Sequence, residues 1–245
     1  MAVTEQIQRL FDAKAATWAQ KYAPGGPLAG RLAALALEVL RHAPPGARVL
    51  DLGCGTGELA HYLAGAGLRA AGCDISRPML RRAAAAGQGH GTRWVQLGPG
   101  WLRLPFTDAA FDAIVVSSVL EYTADPAAVL GECARVLRPG GVAVCTVPDL
   151  RHPVRWLEWL ARAAGRITLV RAVSRRWPRC EAYHAYLRAS RQRHRARWWL
   201  AAAQRTGLSP AGSPSWHPAR GPAGGRYHAL RLLVLDRACH IGGPA

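Results

Sequence analysis

The chain has 245 residues, half of them hydrophobic and 19% charged, a composition that excludes whole-chain disorder and fits one domain with an elaboration. No apolar run approaches the ~18 residues a bilayer span needs. The six cysteines show neither a CxxC pair nor zinc-like Cys/His spacing, which argues against a disulfide scaffold and a structural zinc site. Glu5 and Asp12, with no apolar core between them, do not read as a secretory signal. A cytoplasmic protein with free thiols is expected, peripheral at most to the inner face of a membrane. The net charge of +17 is regional. Residues 1–150 carry 14 basic and 12 acidic side chains, whereas residues 151–245 carry 18 basic and three acidic. GC-rich codon usage explains why 30 of the basic residues are arginine; it does not explain the missing acids after Leu150.

In chain order, Leu28–His42 is an amphipathic helix ended by Pro44-Pro45-Gly46. Strands are predicted at Arg48–Leu52, Arg69–Cys73, Arg93–Leu97, Asp112–Ser117 and Val142–Val147, alternating with helices near Glu58–Ala64, Arg77–Ala86 and Pro126–Val136, the last with Asp125 as N-cap. Such alternation predicts a parallel sheet with helices on both faces. Residues 151–190, rich in Arg and Trp, break the alternation. A helix at about Arg193–Arg205 and closing strands at Leu208–Trp216 and Tyr227–Leu235 follow.

The chemistry concentrates in Val49-Leu50-Asp51-Leu52-Gly53-Cys54-Gly55-Thr56-Gly57, which runs from a strand into a helix. Glycines there allow a sharp turn and let a ligand lie against the main chain. A dinucleotide-binding turn wants a further glycine where Glu58 stands. Asp51 beside the loop suits a cationic ligand better than a pyrophosphate, and Asp74 ends the next strand where a carboxylate can accept both ribose hydroxyls. An adenosine with a positively charged amino-acid tail fits this pattern better than a dinucleotide.

Four blocks together resemble the class I S-adenosylmethionine-dependent methyltransferases, in particular the ubiquinone/menaquinone-biosynthesis-like small-molecule branch. They are Phe11-Asp12-x-x-Ala15-x-x-Trp18-x-x-x-Tyr22, VLDLGCGTG, LPFTDAAFDAIVVSSVLEY (104–122) and ARVLRPGG (134–141). The resemblance covers roughly residues 7–149 and implies a Rossmann-like, seven-stranded α/β sheet with a helical insertion after the fifth strand. By position it implies that Asp51, Gly53, Gly55 and Gly57 line the methionine end of S-adenosylmethionine. Asp74 holds the ribose, Ile75 lies against the adenine, Ser117 sits where cofactor and acceptor meet, and Tyr22 closes over the cofactor from the N-terminal helix. Two positions depart from the family. Gly100 stands where an adenine-binding Asp is usual, which shifts recognition to backbone groups and Trp101, and Tyr122 replaces a usual His. The organisation expected is an N-terminal helical cap (1–45), a cofactor-binding core (46–149), a substrate-covering insertion (150–190), and a closing helix with the last two strands (191–245).

Methyl transfer from a sulfonium depends mainly on alignment, and a base is required only where the acceptor must lose a proton. His184 and Glu121 are the candidate bases. The expected reaction is O- or C-methylation, favoured over N-methylation, of a small or lipid-like, anionic acceptor. Two alternatives stand beside it: a non-catalytic binding protein retaining the cofactor fold, suggested by Gly100 and Tyr122, and methylation of nucleic acid through the basic C-terminal part.

In the insertion, Trp156, Trp159, Leu160, Ala163 and Ala164 share one helical face, with Arg155, Glu158 and Arg162 opposite. A basic stretch runs from Arg171 through Arg175-Arg176-Trp177 to Arg197. Four readings compete: a lid whose apolar face closes the acceptor pocket, peripheral membrane contact through residues 151–197, nucleic-acid binding, and a solvated face over an apolar core. Nucleic acid ranks last, because no RNA-binding module is recognisable. Oligomeric state is not legible.

Overall fold

A computed structural model describes residues 3–87, 91–164, 177–211, 218–220 and 226–238. Its centre is a sheet of β1 (Arg48–Leu52), β2 (Arg69–Asp74), β3 (Arg93–Gln96), β4 (Phe111–Val116), β5 (Leu137–Pro148), β6 (Leu208–Pro210), β7 (Pro218–Arg220) and β8 (Arg226–Arg237). Seven strands run in the order β3-β2-β1-β4-β5-β8-β6, and the short β7 pairs with β8 off that path. The first five are parallel, and β8 is antiparallel to β5 and β6. The predicted strand beginning at Leu208 is β6, which ends at Pro210; residues 212–216 of that prediction lie outside the described residues.

The strands read as near-continuous apolar runs because both faces of the sheet are covered. Val49, Ala113, Val115, Val142 and Val144 meet α2 (Ala29–His42) and α3 (Glu58–Gly65) on one face. Leu50, Leu52, Ile114, Val116 and Cys145 point to the other, with Leu130 and Cys133 of α5 (Pro126–Val136) and Trp199 of α8 (Ala196–Arg205). Asp125 caps α5 as expected, accepting from Ala127 and Ala128 N–H at 3.0 Å each. The remaining helices are α1 (Val3–Asp12), α4 (Arg77–Ala86), α6 (Val154–Ala164) and α7 (Pro178–Ala189).

The polarity of α6 corrects the lid expectation. Arg155 and Glu158 are buried, whereas Trp156, Leu157, Trp159 and Leu160 are exposed. Periodicity groups the residues by face, and the exposure contradicts the readings that turn the apolar face inward. What reverses them is Arg193, 35 residues on, whose guanidinium reaches Glu158 at 2.6 Å while Arg155 holds the same carboxylate at 2.7 Å. The ion cluster pairs the inner charges, and among the described residues the apolar face stays exposed. Arg171, Arg175 and Arg176 of the predicted basic stretch lie outside the described residues.

Trp199 is fully buried between α5 and the sheet. Trp199→Ala is expected to cost about 3–5 kcal/mol in chemical denaturation through the cavity it leaves. A cost below about 1 kcal/mol would contradict its place in the core.

Candidate active site

The site forms where the sheet changes direction. β1 pairs with β2 on one side and β4 on the other, so the loops leaving β1 and β4 diverge and open a crevice at the carboxyl ends of the strands. Across it lies a cavity of about 750 Å³, within the usual range for small-molecule sites.

The glycine loop forms one wall. Gly53 and Gly55 adopt left-handed backbone (φ 74° and 56°). A Cβ on Gly55 would lie 2.9 Å from the Trp18 indole nitrogen, so the bare backbone is required for the N-terminal segment to lie over the loop. The resemblance puts Gly57 at the methionine end of the cofactor. In the structure Gly57 caps α3 at φ 85° and does not line the cavity, and a Cβ there would stand 2.6 Å from the Trp94 ring. Its constraint is packing beneath the site.

Two carboxylates flank the loop, Asp51 buried and Asp74 half-buried. Asp74 accepts from Gly55 N–H at 2.9 Å and Ser76 N–H at 2.8 Å, which fixes its orientation while it lines the cavity. Burial raises its pKa, and the backbone hydrogen bonds oppose that rise. Asp51 is pushed to about 7 by burial, then by Asp74 and Glu58, all acting upward. A buried carboxylate surrounded by other acids is a seat for a positive group. This matches the sulfonium and ammonium of S-adenosylmethionine, and Asp74 matches its ribose.

The adenine side departs from the expectation at one point. Gly100 has φ 77°, and a Cβ there would meet nothing closer than Thr4 at 3.6 Å. The turn's left-handed backbone, rather than crowding, favours glycine there. Trp101, Ile75 and Leu102 line the cavity, and Trp101 and Ile75 also pack against the core. Ser76 Oγ donates to Asp12 Oδ1 at 2.6 Å, tying α1 to the start of α4.

Tyr22 lines the cavity but follows two 3-10 turns (Ala15–Thr17 and Ala19–Lys21) instead of sitting on a helix. Its hydroxyl accepts from Arg31 at 3.3 Å, and Arg31 also donates to Ser118 Oγ at 2.9 Å. Ser118 has φ 54°, a strained conformation for a residue with a side chain, held by its N–H donating to Thr146 Oγ1 at 2.8 Å. Sequence reasoning missed Arg31, which reads as an ordinary polar position on an amphipathic helix. It also left Trp18 and Lys21 without roles. The Lys21 ammonium stands 3.8 Å from the Trp18 ring centre, and burial followed by Lys14 and Arg31 lowers its pKa to about 8.

After β4, Ser117 Oγ is buried without a hydrogen-bond partner and Ser117 lines the cavity. Glu121 is buried there too, one carboxylate oxygen unpartnered, and burial raises its pKa. Tyr122 belongs to an aromatic wall, edge-on to Phe11 at 5.2 Å and to Tyr186 at 6.2 Å. Val154, Arg155 and Glu158 of α6 and the preceding His152 complete the lining. His184, on α7, is half-buried and is not among the lining residues, so the structure separates the two candidate bases.

With this geometry, the chain has the fold of the class I methyltransferases, and residues 50–145 match the family described as "Methyltransferase domain". A demethylmenaquinone methyltransferase of Corynebacterium kroppenstedtii is 41% identical over 130 residues, 51% of this chain and 54% of that protein. A ubiquinone/menaquinone biosynthesis C-methyltransferase of Desulfotalea psychrophila is 39% identical over 119 residues, 46% of this chain and 48% of that one. The chain thus spans about half the length of these curated relatives. Among solved structures, magnesium protoporphyrin IX methyltransferase from Synechocystis with bound S-adenosylmethionine superposes with a TM-score of 0.65 at 17% identity, covering 97% of this chain and 98% of that one.

The folded-state pKa of Asp51 lies above its ordinary value of 3.8, so the protonated form stabilises the fold; that contribution is complete below 3.8 and is lost as pH rises through about 7. Asp51→Asn, neutral throughout, is expected to melt at a higher temperature than wild type above about pH 7 and to converge with it below about pH 4. Equal or higher stability of the wild type at about pH 8 would contradict an uncompensated buried carboxylate.

Proposed function

We propose that the chain transfers the methyl group of S-adenosylmethionine to a small or lipid-like acceptor bound in the same cavity. One observation carries this: Asp51, Gly53, Gly55 and Asp74 line the same cavity as Ser117, Glu121, Tyr122, Tyr186 and Arg155. When bound, the cofactor supplies an electrophilic methyl on a sulfonium, displaced in line by the acceptor. Asp51 holds the positive methionine end and Asp74 the ribose. Ile75 and Trp101 enclose the adenine, and Tyr22, with Trp18, covers the cofactor from the N-terminal side.

Glu121 is the base for an acceptor that must lose a proton, since it is the candidate that reaches the cavity and has an unpartnered oxygen to receive one. Its raised pKa makes the ionised, proton-accepting form predominate only towards higher pH. Arg31 and Arg155 give the acceptor end positive charge suited to an anionic or enolate-like oxygen, which favours O- or C-methylation. The similarity to proteins named for demethylmenaquinone methylation supports an acceptor of that chemical kind, a redox-active ring on an apolar tail.

Calorimetric titration with S-adenosylmethionine is expected to show micromolar binding, weakened roughly 10- to 100-fold by Asp74→Ala as a charge-assisted hydrogen bond worth about 1.5–3 kcal/mol is lost. No binding by the folded wild type would overturn the proposal in favour of a non-catalytic fold relative. With reduced demethylmenaquinone as acceptor, Glu121→Gln is expected to lower kcat by about 10²–10⁴-fold and abolish the rise of activity with pH. Unchanged kcat and pH profile would remove Glu121 from the proton transfer.

A further inference from the structure

Helix α6 presents two faces of opposite character. Arg155 and Glu158 face the cavity, and Trp156, Leu157, Trp159 and Leu160 are 71, 64, 61 and 52% exposed. The Trp156 and Trp159 rings stand edge to face, 6.4 Å apart. Trp177, at the start of α7, and Tyr183 on it are also exposed, and α7 packs against α6. Single exposed apolar residues need no explanation; four large ones within five consecutive residues of a helix, opposite a buried ion cluster, mark a contact surface.

We propose that this face of α6 docks on an anionic phospholipid bilayer, with the tryptophans and leucines entering the headgroup layer while the opposite face stays on the cavity. This rests on the reading above, in which the acceptor is lipid-like. The bilayer is singled out by charge. Residues 151–197 contain 13 arginines and two acids. Both acids are occupied, Glu158 by Arg155 and Arg193 and Glu181 by Arg188 at 3.0 Å. Arg151, Arg191, Arg195 and Arg197 are exposed. A second copy of the chain would bring the same positive charge against this surface, whereas an anionic leaflet attracts it and accommodates tryptophan at its polar boundary. Among the described residues no helix is long and apolar enough to cross a membrane, and α6, with 11 residues, suits lying in the interface plane. Because Val154, Arg155 and Glu158 also line the cavity, a helix docked this way sets the acceptor end of the site at the lipid surface, where an apolar-tailed acceptor resides.

The test is co-sedimentation of the full chain with vesicles of phosphatidylcholine alone or enriched in phosphatidylglycerol, at low and raised salt. Wild type is compared with Trp156→Ser/Trp159→Ser, substitutions at exposed positions that leave the core intact. Expected are binding to the anionic vesicles, weakening as salt rises, a blue-shifted tryptophan emission, and at least a tenfold loss of partitioning in the double variant with S-adenosylmethionine binding unchanged. Wild type remaining in the supernatant overturns the proposal. So does equal partitioning of wild type and double variant, or a wild-type dimer that the double variant converts to monomer, which would assign the face to a second copy. Vesicle binding lost in the double variant, by a chain that does not bind S-adenosylmethionine, would support the docking surface and overturn the methyl-transfer reading instead.

Discussion

Two carboxylates, the buried Asp51 and the half-buried Asp74, stand at the ends of adjacent parallel strands with a glycine loop folded between them, and their unequal satisfaction organises the site. Asp74 is held by two backbone N–H groups, one from Gly55 in the loop itself. That bond fixes both the carboxylate and the path of the loop. Asp51 has burial, Asp74 and Glu58 all raising its pKa. A fold that keeps an acid in this condition carries a standing electrostatic cost, which a cationic ligand removes on binding. The pair therefore separates a hydroxyl-binding end from a cation-binding end within one crevice.

The N-terminal residues turn this crevice into a cavity. Asp12 anchors α1 through Ser76, Trp18 lies against Gly55, and Phe11 packs on Tyr122. Arg31 extends the connection, with Tyr22 on one side and Ser118 on the other. Ser118 lies three residues before Glu121, whose backbone carbonyl accepts from Arg191 N–H at 2.8 Å, so the chain just after the insertion is tied to Glu121. The cofactor and acceptor ends are thus mechanically continuous. Displacing the N-terminal segment would disturb both ends together.

Much of this was legible in the residues. The apolar runs located β1 to β4 within a residue or so, because strands buried on both faces leave a signal that tertiary context cannot reverse. Asp51, Asp74 and the loop glycines stood out because a turn that lets a ligand lie on the main chain restricts residue choice. What failed to show depended on distant partners. Periodicity gathers Trp156, Trp159 and Leu160 on one face but does not say which face is inside, and Arg193 decides that from 35 residues away. Arg31 carries no local mark of its link to Ser118, 87 residues on. His184 drew attention by lying in the insertion, yet α7 leaves it off the cavity wall. Gly57 looked like a ligand-contacting glycine, and only the proximity of Trp94 reveals its packing role.

A cation seated beside Asp51 has to displace its proton, and proton exchange on ligand binding reports that displacement. Titration of S-adenosylmethionine at about pH 6.5 in buffers of different ionisation enthalpy measures that exchange. The account predicts release of roughly half a proton or more per ligand bound, as Asp51, with a pKa of about 7 in the free protein, ionises against the positive ligand. It predicts that Asp51→Asn abolishes the release. Tight binding by wild type with no net release would contradict the account.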